Sequence, residues 1–313
     1  MARTDQRVGK VLDNIAKTHY PFNDNEEYNI LSSKKVCAIK DLLDDIGFDS
    51  IIHKEYGVIA SDSLKEKAIE DKLKDTSLIV ISHIDNIKKF NKVEVQEKLT
   101  KQLLDIKGYE EHDQKIIGAL DNTITNAILV SIMQMRKVNF SDDCNDVMFF
   151  FSLGEEDADE GGFDESNGVA KFMDKFHTDI LENNIKVLNL DVTAKEYHEY
   201  KNDAKTPLFI EYDNTLKEEK LRVSEKYSPL ASLILYDELT DDIQFCEYGE
   251  DGTGADLEDV TKYNIWGVTV ALNTYGEIHS KKNFTYMKHI DKYFNFLHNF
   301  ILSLRNTSDD RKI

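Results

Sequence analysis

The sequence predicts an α/β protein of three layers, a mostly parallel mixed sheet covered by helices on both faces. Two observations lead there. Short apolar runs alternate along the chain with longer segments whose apolar residues recur every three or four positions. Several of the short runs, LIVIS at 78–82 and VMFFFSL at 147–153 among them, are apolar at nearly every position. That is the signature of strands buried on both faces of a parallel sheet.

Taken in order, the spacing predicts helices near 7–19 and 31–46, then a strand pair over 50–60 with Tyr56-Gly57 as its turn. Residues 78–82 form a buried strand, and the charged stretch 88–115 reads as a helix plus loop over the surface. From Thr123, Ile124, Ala127, Ile128, Ile132 and Met135 recur at helical spacing. The second half continues with strands at 147–153 and 186–192 around a helix near 167–177. Strands at 208–212 and 243–248 flank a helix near 226–239, and 255–263 is helical. A strand at 265–272 precedes a last helix striped by Met287, Ile290, Phe294, Leu297, Ile301 and Leu304. Residues 306–313 read as a flexible tail behind a single domain spanning 1–305.

Composition removes whole classes of function. The 313 residues carry 59 acidic and 39 basic side chains, a net charge of −20, which excludes the basic face that nucleic acid or an anionic membrane requires. With 41 % hydrophobic and 10 % aromatic residues the chain is too apolar to be disordered. No apolar run reaches the roughly 18–20 residues that span a bilayer, and the first twenty residues lack the apolar core of a secretory signal. Three cysteines, none in a Cys-x-x-Cys pair, make neither a disulfide framework nor a thiolate metal site. A cytoplasmic location is the expectation.

In parallel sheets, ligands collect where strands end, and here the apolar runs end in polar residues. LIVIS runs into His83-Ile84-Asp85, VMFFFSL into Gly154-Glu155-Glu156, and KVLNL into Asp191. A short strand-like GAL at 118–120 delivers Asp121 to the start of a helix, and the run at 265–272 leads through a loop to His279. Singly, each has a bland reading: a solvated turn, an acidic loop, a helix cap, a packed histidine. Jointly, two imidazoles and three carboxylates are the ligand chemistry of zinc, and also of cobalt or manganese. One carboxylate can bridge two ions, and three carboxylates with a hydroxide balance two divalent charges. That leaves one member of the Glu155-Glu156 pair free as a base, while Asp85 is placed to accept a hydrogen bond from the second nitrogen of His83.

The order His-x-Asp, Asp, Glu-Glu, Asp, His resembles that of the co-catalytic di-zinc exopeptidase superfamily, which includes leucyl aminopeptidases, tetrahedral aminopeptidases, tripeptidase T and zinc carboxypeptidases. The likeness runs from about residue 30 to 300 through ISHIDN, GALDNTITNAIL, FFFSLGEEDADEGG, LNLDVT and GVTVALNTYGEIHS. It implies a phosphorylase/hydrolase-like zinc-exopeptidase fold and two divalent ions. It also implies that His83 and Asp191 hold one ion, Glu156 and His279 the other, and Asp121 both. Glu155 becomes the general base of a hydroxide bridging the metals, and Asp85 orients His83. The implied activity is that of an aminopeptidase on small peptides or N-acyl amino-acid-like substrates, in a monomer or small homo-oligomer. A deacylase or carboxypeptidase on the same site, or a catalytically silent metal-binding scaffold, are the alternatives.

The spacing selects within the superfamily. His83 and Asp121 lie 38 positions apart, and Asp191 and His279 lie 88 apart, too close for the accessory or lid domains that relatives insert there. A lidless catalytic domain, similar to the single-domain leucyl aminopeptidases, is expected. Three features depart from the pattern: Thr125 where relatives place glycine, Asn283 where they place an acid, and the strongly acidic stretch 157–165. Asn283 is expected to cap the last helix. Asp256 resembles a Thr-Asp-Ala-type phrase near the pocket of relatives, and reads equally as an acid at a helix N-terminus.

Overall fold

The most apolar runs of the chain form the middle of the sheet. In the computed structural model the described residues are 4–16, 33–64, 68–85, 115–139, 145–156, 167–194, 207–212, 243–247, 255–280 and 283–306. Eight strands share one sheet: β1 (Asp49–His53), β2 (Gly57–Ser61), β3 (Leu78–His83), β5 (Val147–Ser152), β6 (Lys186–Ala194), β7 (Leu208–Tyr212), β8 (Ile243–Glu247) and β9 (Gly267–Thr274). Their spatial order is β1-β2-β5-β3-β6-β9-β7-β8. The stretch β5-β3-β6-β9 is parallel throughout. Antiparallel partners flank it: the β1–β2 hairpin on β5 at one side and β7 on β9 at the other, with β8 parallel to β7. β3, β5 and β9 are buried at every position, as expected of strands in the middle of a sheet covered on both faces.

Alternation along those strands feeds two cores. Leu78, Val80, Phe149 and Phe151 enter one, and Ile79, Ile81, Met148 and Phe150 enter the other. The first core is covered by α1 (Thr4–Ala16), α2 (Lys34–Asp45), α4 (Thr123–Asn139) and α7 (Met287–Asn306). The second lies under α5 (Gly168–Glu182) and α6 (Ala255–Thr261), with α3 (Ile69–Leu73) beside α5. This is the three-layer α/β/α architecture that the alternation of elements predicts. Side chains fix where helices start: Ser33 Oγ accepts the Val36 N–H at 3.5 Å, and Asn167 Oδ1 accepts those of Val169 and Ala170 at 2.7 and 3.1 Å.

Several sequence-based expectations need correction. GAL at 118–120 is not a strand. The strand is β4 (Lys115–Ile117), paired with β10 (Phe284–Tyr286) in a separate two-stranded ribbon. The Gly118 N–H donates to Asn283 O at 2.8 Å, so the chain leaves the ribbon as a loop before Asp121. Asn283 does not cap the last helix, which starts at Met287. Its side-chain N–H groups donate instead to Thr274 Oγ1 at 2.9 Å and Tyr275 O at 3.2 Å, tying β9 to the chain that returns into β10. The first helix begins at Thr4, and β9 begins at Gly267, after Ile265-Trp266. The helix near 226–239, the stretch 88–114, the acidic stretch 157–165 and the tail after 306 lie outside the described residues.

Candidate metal centre

Three parallel strands, at or near their carboxyl ends, bring acids and a histidine to one place. β3 ends in His83, and the Ile84 N–H still donates to Ser152 O at 2.8 Å, so Asp85 leaves the sheet beside the end of β5. β5 ends at Ser152, and Gly154 turns the chain with φ +77°, a left-handed conformation that glycine adopts freely, to present Glu155 and Glu156. β6 carries Asp191, whose Oδ1 accepts the Val192 N–H at 2.7 Å.

The other two groups arrive on loops that are pinned to those strands. Asn122, next to Asp121, donates through Nδ2 to Leu190 O at 2.8 Å, and Asn126, in the first turn of α4, donates to His83 O at 2.7 Å. The start of α4 is thereby fastened to β6 and β3 together. Thr125, at the position where glycine was expected, is buried and donates to Asn122 O at 2.8 Å, with Ser82 Oγ 3.3 Å from its hydroxyl. A small β-branched residue is accommodated there because its hydroxyl finds these partners. His279 follows β9 in the loop that Asn283 latches.

All seven predicted site residues meet. His83 Nε2 lies 3.1 Å from Asp121 Oδ1, 3.6 Å from Asp191 Oδ1 and 3.7 Å from Glu155 Oε2. His279 Nε2 lies 3.4 Å from Asp121 Oδ2 and 3.3 Å from Glu156 Oε2. The two oxygens of Asp121 thus face different imidazoles, with Asp191 and Glu155 also beside His83 and Glu156 beside His279. Behind them, Asp85 Oδ1 lies 3.5 Å from His83 Nδ1, and its Oδ2 accepts the Glu156 N–H at 3.0 Å. One carboxylate thus stands beside a histidine of one group and accepts from the backbone of the other. Glu155 and His279 keep 16 % and 23 % of their side-chain exposure against 2 % for His83, so the cluster opens to solvent on their side.

The electrostatics are those of a site short of cations. Burial raises the carboxyl of Glu155 well above its ordinary range, and Asp191, Asp256 and Asp121 add to the shift. Glu156 is raised by burial, then by Asp121 and Glu155; Asp191 is raised by burial and by Asp121. Asp121 moves the other way: burial opposes its charge, but the imidazoles of His279 and His83 outweigh burial and hold it at about 2. Burial likewise opposes the charge on His83, yet the acids around it raise its pKa well above 6.5.

The donor set fits a metal. His83, Asp121 and Glu156 each offer one ligand atom, all within 4.8 Å of one another. Among the described residues Glu156 Oε1 is buried with no hydrogen-bond donor, an arrangement that costs free energy unless a cation is supplied.

The family model of Peptidase family M28 matches residues 66–291, well over half of the chain, a span within which all seven of these positions fall. The chain belongs to Peptidase family M28. It is therefore a peptidase of a metal-dependent family. No curated protein sequence matches this M28 chain. Among solved structures, an aminopeptidase from the archaeon Desulfurococcus kamchatkensis aligns with TM-score 0.57 at 11 % identity, covering 96 % of this chain and 95 % of that one. A TET aminopeptidase from a marine-sediment Thaumarchaeota archaeon gives 0.57 at 12 %, covering 96 % and 99 %. Aminopeptidase PepT from Bacillus cereus gives 0.54 at 10 %, covering 96 % and 99 %. These likenesses show the M28-type α/β fold. Among the described residues no helix is long and apolar enough to cross a membrane.

Two residues near the M28 site gain weight from the structure. Asp256 opens α6 and is buried, its Oδ1 accepting from Asn167 Nδ2 at 3.3 Å. Burial and then Asp191 push its carboxyl up to about 7, against the pull of His83. Lys35 escapes the sequence reading altogether. It is buried in the first turn of α2, its Nζ donating to Thr123 Oγ1 at 3.2 Å. Its signal was available: Lys35 falls on the apolar stripe of Ile39 and Leu43, where a charge needs a reason.

Proposed function

We propose that this protein is a di-zinc aminopeptidase, a single catalytic domain that removes N-terminal residues from small peptides. One observation carries the reading: Asp121 directs one carboxylate oxygen to His83 and the other to His279, at 3.1 and 3.4 Å. With Asp191 beside the first histidine and Glu156 beside the second, two half-sites share one acid. His83 and Asp191 would hold one divalent ion, Glu156 and His279 the other, and Asp121 would join them. When bound, the two ions supply Lewis acidity that activates water and polarises the scissile carbonyl.

The chain's own residues do the rest. Glu155 is the one carboxylate of the pair left without a ligand role; its Oε2 lies on the His83 side, and it is partly open to solvent. It takes a proton from the attacking water and returns it to the leaving amine. Its raised pKa, caused by burial and then by the acids around it, suits a group that must both accept and release that proton. Asp85 fixes the orientation of His83 through Nδ1 and holds the Glu156 backbone, so both half-sites depend on it. The aminopeptidase neighbours support removal of residues from the amino end over the deacylase or carboxypeptidase alternative.

A matched panel of aminoacyl anilides, N-blocked peptides and C-blocked peptides, assayed with zinc, cobalt and manganese, tests this. Turnover of substrates with a free amino end is the expected result. Cleavage confined to N-blocked substrates, or none of any amide by metal-loaded protein, overturns the aminopeptidase reading.

A further inference from the structure

The proposed reaction makes no use of Lys35, yet its position is costly. α2 buries Lys35, Val36, Ile39 and Leu43, and Lys35 keeps 1 % of its exposure. A lysine there loses hydration, loses side-chain freedom and faces the positive end of a helix dipole. Burial lowers its ammonium to about 8, and the groups that pull it back up are Asp85, Glu156 and Asp121. These are acids of the metal centre. The hydroxyl it donates to, Thr123 Oγ1 at 3.2 Å, is two residues beyond Asp121 in the first turn of α4.

We infer that Lys35 is an internal counter-cation of the metal centre: it steadies the acidic cluster when no metal is bound, and it weakens the hold of Asp121 and Glu156 on a divalent ion. This rests on the metal reading above. Three ligand carboxylates and a hydroxide already balance two divalent ions, which leaves the Lys35 ammonium to face the remaining acid charge, Asp85 foremost. The same ammonium attracts three acids of the centre, Asp85, Glu156 and Asp121. Because an ammonium and a divalent ion repel strongly in a low-dielectric interior, the lysine lowers zinc affinity while it supports the acidic cluster. Lys35 is a positioning residue that acts through the ligands, so its removal should separate two properties that a packing residue changes together.

The test measures zinc affinity by competition with a chromophoric chelator, and thermal unfolding with and without zinc, for the full chain and for Lys35→Met and Lys35→Arg. Lys35→Met is expected to bind zinc on the order of tenfold more tightly, while its zinc-free form melts below the wild type. Lys35→Arg, which keeps the charge, is expected to return zinc affinity toward the wild-type value. Lys35→Gln, which keeps a donor for Thr123, is measured in the same way should the methionine variant not fold. Unchanged or weaker zinc binding in the uncharged variants overturns the inference, as does an arginine variant that behaves like methionine. Equal affinities leave the metal reading intact, whereas a wild-type chain that binds no zinc overturns both.

Discussion

The two ends of the parallel strands carry similar polar groups and treat them oppositely. At the entry end, Ser77 Oγ donates to Asp146 Oδ2 at 2.5 Å, the Ser77 N–H donates to Asp146 O at 2.8 Å, and Thr76 Oγ1 donates to Lys72 O at 2.8 Å. Donors meet acceptors there. At the exit end, Asp121, Glu155, Glu156 and Asp191 gather around two imidazoles, acceptor beside acceptor. Among the described residues, Glu156 Oε1 and Asp256 Oδ2 are buried there without a hydrogen-bond donor. A chain selected for stability alone would not leave such a cluster unmatched. One end of the sheet holds the fold together, and the other end uses that rigidity to keep acids closer than they would otherwise stay.

If that division is right, substitutions should divide the same way. Glu155→Gln has the largest expected effect on chemistry: turnover falls by about 10²–10⁴-fold, while metal content, by elemental analysis, and the unfolding midpoint stay near wild type. Retained turnover would remove Glu155 from its role. Phe150→Ala is the mirror image. Phe150 is fully buried under α5, so its loss should cost about 3–5 kcal/mol of stability in denaturant unfolding, with the metal ligands of the surviving folded fraction intact. Asp85→Asn should lower metal affinity or activity by about 10–100-fold, because it loosens His83 and Glu156 together.

The smallest effect concerns pH. Burial and Asp191 raise the Asp256 carboxyl to about 7 from 3.8. The folded chain therefore keeps a proton that the unfolded chain releases, and this stabilisation, complete below about 4, is lost as pH rises through about 7. Stability of the metal-free protein should fall across that window. Asp256→Asn should flatten the slope by at most about 1.4 kcal/mol per pH unit, read from urea midpoints at successive pH values. An unchanged slope would remove Asp256 from the electrostatics of the site.

How much of this was legible in the sequence depends on how each residue is delivered. His83, Glu155 and Asp191 follow directly from buried apolar runs, so hydropathy alone placed them. Asp121 and His279 come from loops, and only their order in the chain linked them to the others. The supposed strand before Asp121 was an error of this kind: a three-residue ribbon such as β4–β10 is too short to leave a periodic signal. Asn283 was assigned to a cap because cap residues are recognised locally, while its partners, Thr274 and Tyr275, lie back along the preceding turn. Lys35 was hidden for the opposite reason. Helical periodicity placed it on the buried stripe, but only the folded chain shows that α2 brings it to the acids of three other segments.

The most direct test of the shared-acid geometry is a metal count per chain by equilibrium dialysis and elemental analysis, in the wild type and in His83→Ala and His279→Ala. Two divalent ions per wild-type chain are expected, with each histidine variant losing about one and Asp121→Ala losing both. Less than one ion per wild-type chain, or a count unmoved by His83→Ala, would contradict a two-metal centre built on Asp121.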